Sequence, residues 1–188
     1  QGMCAGIRDV SNLAWKISLC LKNKHDDKLL NTYQSERSSN VKEYIETTMR
    51  MGEFVNAVGK SPITNNISAD SKGRKSMKSI KPRLGRGLGD LKDKFRGKIF
   101  PQYIIKNNKK LDEKFSLKPA LIISDEIKKN ISSKIKLIRS KNIKNLELFF
   151  KEHNCKAVIV RPDRFILSSC KSVKDFNSYL SKNLSYLV

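Results

Sequence analysis

Apolar residues at Ile7, Val10, Leu13, Ala14, Ile17 and Leu21 recur at intervals of three and four, the period of a helix with one buried stripe. The spacing predicts a helix over residues 5–21, entered from a glycine-containing loop at Gly2-Met3-Cys4. The run Lys24-His25-Asp26-Asp27-Lys28 breaks the pattern and reads as a polar turn. A second helix is predicted over 29–56, with Leu30, Tyr33, Val41, Tyr44, Ile45, Met49 and Val55 as its buried positions. Ser38-Ser39-Asn40 can bend it, because these side chains compete for backbone hydrogen bonds, and Gly52 and Gly59 weaken its end. Residues 58–98 are dominated by Gly, Ser, Lys and Pro, too thinly apolar to bury a core. They read as an extended linker or wrapping segment.

A second unit is expected from residue 99. Strands are predicted at 120–123, with Pro119 at the entrance where a missing N–H is tolerable, and at 135–138. A helix over 143–153 carries Leu146, Phe149 and Phe150 on one side. Strands at 157–160 and 165–167 are joined by Arg161-Pro162-Asp163-Arg164, a natural hairpin turn. A last helix over 173–184 uses Val173, Phe176, Leu180 and Leu184. This order predicts an α/β fold class, with helices packed on a mixed sheet. The division expected is 1–57, 58–98 and 99–188.

The formal charge of +21 raises nucleic acid as a partner. Lys outnumbers Arg by 29 to 10, however, and the lysines are spread among many Ile and Asn. All three residue types have A/T-rich codons, so coding bias accounts for the excess. A nucleic-acid surface would concentrate Arg and interleave aromatics for stacking. The charge reads as a solvated face, and no nucleic-acid partner is expected. Cys4, Cys20, Cys155 and Cys170 form no CxxC pair, and His25 and His153 each stand alone. Neither a metal site nor a disulfide framework is expected, which suits the reducing cytoplasm. No apolar run nears the roughly 20 residues of a membrane span, and residues 1–9 lack a signal-peptide pattern.

The residues that carry chemistry lie at the start. A glycine loop opening a helix offers unpaired N–H groups and the positive end of the helix dipole. Glycine also lets a ligand approach the backbone closely. The stretches QGMCAGIRDVSNLAWK (1–16) and LLNTYQSER (29–37) resemble the class A flavoprotein monooxygenases. The likeness is closest to the 3-(3-hydroxyphenyl)propionate hydroxylase group. RLGRGL (83–88), IFPQ (99–102) and AVIVRPDRFIL (157–167) are similar to the same family's tail.

That resemblance implies an FAD-dependent, NAD(P)H-consuming aromatic hydroxylase acting on phenolic acids. It also implies helices from the end of an FAD-binding Rossmann-like domain, then a small thioredoxin-like domain. The amides of Gly2, Met3 and Cys4 would face the pyrimidine edge of the flavin and stabilise negative charge at its N1–C2=O locus. Gln1 would line the same loop. Asp9, Asn12 and Trp15 match family positions as packing and anchoring residues. Tyr33, Glu36 and Arg37 match as an ion pair or hydrogen bond tying the two helices. No catalytic residue and no metal ligand is implied.

Two departures stand out. Ser38-Ser39-Asn40 replaces something like Arg-Pro-His, which puts local helix geometry in doubt. The chain also has no GxGxxG fingerprint and no Gly-Asp ribose motif, so alone it is expected neither to hold FAD tightly nor to hydroxylate. The resemblance places the substrate domain before Gln1. Cys155 and Cys170, lacking a CxxC neighbour, are expected as buried hydrophobes rather than redox thiols. Any self-association is expected as a homodimer. The alternatives from other classes are a basic binding module gripping an anionic polymer through 58–98, and an interaction protein dimerising through 99–188.

Overall fold

A computed structural model of the chain describes residues 2–23, 28–56, 67–69, 75–77, 81–105, 108–115, 118–128, 135–143 and 145–184. Gln1, the expected turn at 24–27 with His25, Gly59, and the side chains of Val55 and Leu184 lie outside the described residues. So does most of 58–80.

Two helices open the fold, α1 (Gly2–Asn23) and α2 (Lys28–Asn56). They run antiparallel: Asp9 meets Arg37, while Gly2 and Gly6 lie beside Thr48 and Met49. Ser38-Ser39-Asn40 continues the helix without interruption. The stripe expected to be buried on α1 faces outward, with Ile7 59%, Val10 67% and Leu21 79% exposed. The buried residues are Asn12, Trp15 and Lys16. At about 100° per residue these centre on the side of α1 opposite the apolar stripe. On α2 likewise, Ile45 and Met49 are exposed while Glu36, Arg37 and Asn40 are buried. Periodicity located both helices, but the face turned inward is the polar one.

Residues 58–98 contain a short antiparallel pair, β1 (Ile67–Ala69) and β2 (Lys75–Met77), that no sequence pattern announced. The described stretch 81–98 wraps against the helices and the sheet, burying Pro82, Leu84, Leu88, Phe95 and Arg96. Its turns place these residues without helix or strand period, which is why periodicity passes over them. Gly85 N–H donates to the Glu36 carbonyl at 2.8 Å. At Gly87 a Cβ would stand 2.3 Å from Glu36 Cγ, so the close approach requires glycine.

The second unit is a four-stranded sheet in the order β4-β3-β5-β6, formed by β3 (Ala120–Ile123), β4 (Lys136–Arg139), β5 (Ala157–Val160) and β6 (Ile166–Cys170). β3 is parallel to β4, and β5 is antiparallel to both β3 and β6. Order and polarity are those of a thioredoxin-like sheet, and the α/β class read from the sequence holds. α3 (Leu146–Glu152) precedes β5, and α4 (Phe176–Leu184) follows β6. Phe165, expected in the last strand, instead bridges to Ile99. The Arg161–Arg164 turn forms where expected. Arg164 N–H donates to the Arg161 carbonyl at 3.0 Å, with Arg164 itself in the left-handed region at φ 69°.

Strand alternation divides the core between the two faces of the sheet. Ala120, Ile122, Val158 and Val160 pack with Phe100, Leu146, Phe149 and Phe150. Leu121, Ile123, Ala157 and Ile159 pack with Leu88, Phe176, Tyr179 and Trp15. Trp15 comes from α1, so one apolar cluster joins the helix pair to the sheet. No described helix is long and apolar enough to cross a membrane.

Candidate functional site

Gly2, Met3 and Cys4 form the first turn of α1 rather than a loop ahead of it. Nothing in these three residues opposes helical φ/ψ strongly enough to end the helix, whose apolar contacts lie further on. All three are exposed. The first N–H groups of a helix have no intrahelical acceptor, and this first turn contains no acidic side chain to occupy them. A Cβ built at Gly2 meets nothing within 4 Å, so a planar group can reach the turn's backbone. Beside it, a groove of about 450 Å³ between α1 and α2 is lined by Gly2, Gly6, Asp9, Tyr44 and Met49 among others. The turn thus suits the anionic edge of a flat ligand. The described residues contain no glycine turn between strand and helix of the kind that seats a dinucleotide pyrophosphate. They fit one edge of a flavin and not its phosphates.

Behind this turn, α1 is fixed by a cluster of buried charges. The Glu36 carboxylate accepts from Arg161 Nη1 at 2.8 Å and Nη2 at 2.9 Å. It also accepts from Lys16 Nζ at 2.9 Å, Asn12 Nδ2 at 3.2 Å and the Leu88 N–H at 3.0 Å. Arg161 donates as well to Asp163, from Nε at 3.0 Å and Nη2 at 2.6 Å. Asn12 Nδ2 reaches Asp163 Oδ2 at 2.9 Å. The side chains of Lys16, Glu36, Arg161 and Asp163 are at most 1% exposed. Two cations and two anions cancel, which makes such burial tolerable. The Arg161 guanidinium lies 5.0 Å from the Trp15 ring centroid, within cation–π range.

Burial alone would push the Glu36 carboxyl up, but Arg161 and then Lys16 overcome it and hold it at about 2. Burial holds the Lys16 ammonium below its ordinary value despite Glu36. Arg161 is held above its ordinary value, because Asp163 and Glu36 outweigh desolvation. A carboxyl depressed on folding stabilises above its unfolded pKa and loses that contribution as pH falls through the folded one. Glu36 therefore contributes about 3 kcal/mol near neutrality, lost as pH falls from 4.5 to about 2. Urea midpoints measured across that window should fall steeply for the parent chain. In Glu36→Gln they should start lower and fall less. Parallel curves would exclude Glu36 as the group responsible.

The structure bears on each residue singled out in the sequence. Gln1 lies outside the described residues, while Gly2, Met3 and Cys4 stand together at the α1 start. Asp9 accepts from Arg37 Nε at 2.7 Å, which ties the helices together. Asn12, Trp15 and Glu36 join the cluster at the sheet. Arg161 and Asp163 were read only as turn residues. Glu36, the partner of Arg161, lies 125 residues away, and nothing local in the sequence pairs them. The available signals were an Arg and an Asp set between the apolar runs 157–160 and 165–167, and their place in a stretch that resembles the family's tail. Cys155 and Cys170 are both buried. Burial pushes the Cys155 thiol up to about 12 and raises that of Cys170, so neither is activated for thiol exchange.

Residues 1–48 match the FAD binding domain family model. The chain is 35% identical over 109 residues to a probable NADH-specific resorcinol 4-hydroxylase of Rhodococcus jostii, a match covering 56% of this chain and 20% of that one. It is 44% identical over 55 residues to a 3-(3-hydroxy-phenyl)propionate/3-hydroxycinnamic acid hydroxylase of Escherichia coli, covering 29% and 10% respectively. The chain thus spans a fifth or less of these curated relatives. Among solved structures, the flavin-dependent monooxygenase PieE, in complex with FAD and substrate, superposes with a TM-score of 0.61 at 11% identity, covering 97% of this chain and 44% of that one. The anhydrotetracycline hydroxylase OxyS of Streptomyces rimosus gives 0.58 at 14% identity, covering 100% and 41%. At such identity these two speak for the fold alone. The family-model match lies on the helices that begin at the glycine turn, and the fold shared with PieE and OxyS takes in the sheet behind them: over these stretches the chain is similar to FAD-binding aromatic hydroxylases.

Proposed function

We propose that this chain is the flavin-edge and C-terminal portion of a monooxygenase that hydroxylates phenolic aromatic acids with FAD, NAD(P)H and O2. The observation that carries the reading is the match of residues 1–48 to the FAD binding domain model, within which the first turn of α1 holds no acidic side chain. The chemistry the cofactor supplies when bound is hydride acceptance from NAD(P)H and activation of O2 for ring hydroxylation. This chain's part is electrostatic. The amides of Gly2, Met3 and Cys4, with the α1 dipole, would favour negative charge on the pyrimidine edge of a flavin held there. The relatives' names, a resorcinol hydroxylase that is NADH-specific and a hydroxyphenylpropionate hydroxylase, support a phenolic substrate and a nicotinamide reductant. We assign residues 1–57 to the FAD-binding unit, 58–98 to a wrapping segment and 99–188 to the thioredoxin-like unit, in a cytoplasmic protein able to form homodimers.

The test uses the native polypeptide that contains this sequence, purified and assayed for released FAD. Flavin in near-equal molar ratio, with NAD(P)H oxidation stimulated by phenolic acids, is the expected result. A flavin-free protein whose binding to nucleic acid falls steeply with salt would sink the reading. Met3→Asp sharpens the test by placing a carboxylate beside the flavin edge. It should lower the two-electron flavin potential by ~20–40 mV, the equivalent of ~1–2 kcal/mol lost at a helix N-terminus.

A further inference from the structure

We infer that the Arg161–Asp163 hairpin turn is a positioning element that sets the pitch of α1 and thereby places the Gly2–Cys4 turn. What that turn faces rests on the flavin reading above, whereas the pitch control does not. No described residue of α1 before Asn12 is buried. The first ten residues are tied only to α2 by the contacts seen, through Asp9–Arg37 at 2.7 Å and Arg8 over the Tyr44 ring at 4.8 Å. Among the contacts seen, α1 meets the sheet unit through one side of its middle, at Asn12, Trp15, Lys16 and Leu19. Two of these four end on the hairpin cluster: Asn12 directly on Asp163, and Lys16 on the carboxylate that Arg161 grips with both Nη atoms.

The arrangement is a cantilever. Gly2 stands ~15 Å along the helix axis from Asn12, so a tilt of ~5° at the anchor displaces the turn by ~1 Å. A displacement of that size can cost as much as ~10²-fold in rate where alignment matters. Arg161 is suited to the task because its planar fork fixes two carboxylates at defined angles, which a lysine cannot do. The thioredoxin-like unit, with its thiols buried, thus acts on the reaction by geometry rather than by redox exchange.

The test places nitroxide labels on exposed Cys4 and on Ser178→Cys in the 188-residue chain with Cys20→Ser, leaving buried Cys155 and Cys170 untouched. Pulsed dipolar distances between the labels should be narrowly distributed. Arg161→Lys, which keeps the charge and loses the fork, should broaden the distribution at least twofold. Asn12→Ala, which leaves all four charges paired and so guards against simple unfolding, should broaden it as well. A control pair within the sheet unit, Lys151→Cys with Ser178→Cys in a Cys4→Ser, Cys20→Ser background, should not change. An unchanged Cys4 distribution in both variants overturns the inference, as does equal broadening of the control pair. If the distribution broadens while the native protein proves flavin-free, pitch control stands and the flavin reading alone fails.

Discussion

Arg161→Met is expected to destabilise the chain by about 3–5 kcal/mol, the range for removing one partner of a buried ion pair. The magnitude comes from what is left behind. Glu36 and Asp163 remain where no water reaches them, and only Lys16 stays to balance two anions. Restoring neutrality should then recover stability. In Arg161→Met combined with Asp163→Asn, the Lys16–Glu36 pair at 2.9 Å is left balanced, and position 163 keeps an acceptor for Asn12. Urea denaturation of parent, single and double variants closes a thermodynamic cycle. A coupling of about 1–3 kcal/mol between positions 161 and 163 is expected. Simple additivity would mean that the four charges do not act as one cluster.

Trp15→Ala is expected to cost a similar amount, about 3–5 kcal/mol, by emptying a large site in a close-packed interior. Trp15 is 6% exposed and belongs to the same apolar cluster as Leu121, Ile123 and Ile159. It is the side chain through which α1 enters the core of the sheet, and it is also the platform beneath Arg161. The loss should therefore be felt mainly in the docking of the helices. Backbone hydrogen exchange should accelerate across α1 while β3 and β5 keep most of their protection. Circular dichroism is the suitable stability probe, because Trp15 is the sole tryptophan and the variant has no indole signal. A loss below about 1 kcal/mol, or equal acceleration in the sheet, would show that the indole does not dock the helices.

Both predictions concern contacts that the linear pattern hid. The Leu121 and Ile159 strands announced themselves, because four consecutive apolar residues between turn signals have few other destinations. Arg161-Pro162-Asp163-Arg164 announced a turn for equally local reasons. The same segment said nothing of Glu36, since a hairpin needs Pro and Asp for its backbone whether or not their neighbours are gripped from elsewhere. On α1 the apolar stripe was legible and its destination was not. Ile7, Val10 and Leu21 point away from the described core, and Asn12 and Lys16 point into it. Periodicity measures which side of a helix is apolar. It does not measure which side meets a partner able to neutralise buried charge.

By itself the sequence determined the two opening helices, the four strands of the main sheet, with the last ending three residues beyond its expected 165–167, the α/β class, and a glycine-containing start whose residues resemble a flavin site. These follow from short-range causes: side-chain period, turn chemistry, and a contiguous motif of unusual composition. Only the tertiary structure decided that the helix pair and the sheet unit share one core, that Leu88 of the wrapping segment belongs to it, and that Phe95 packs on the sheet's other face. It alone brought Lys16, Glu36, Arg161 and Asp163 into one neutral cluster. The physical reason is the range of the forces. A buried charge is tolerable only beside its counter-charge, and where that counter-charge sits, 125 residues along the chain from Glu36, is set by how the chain folds back on itself.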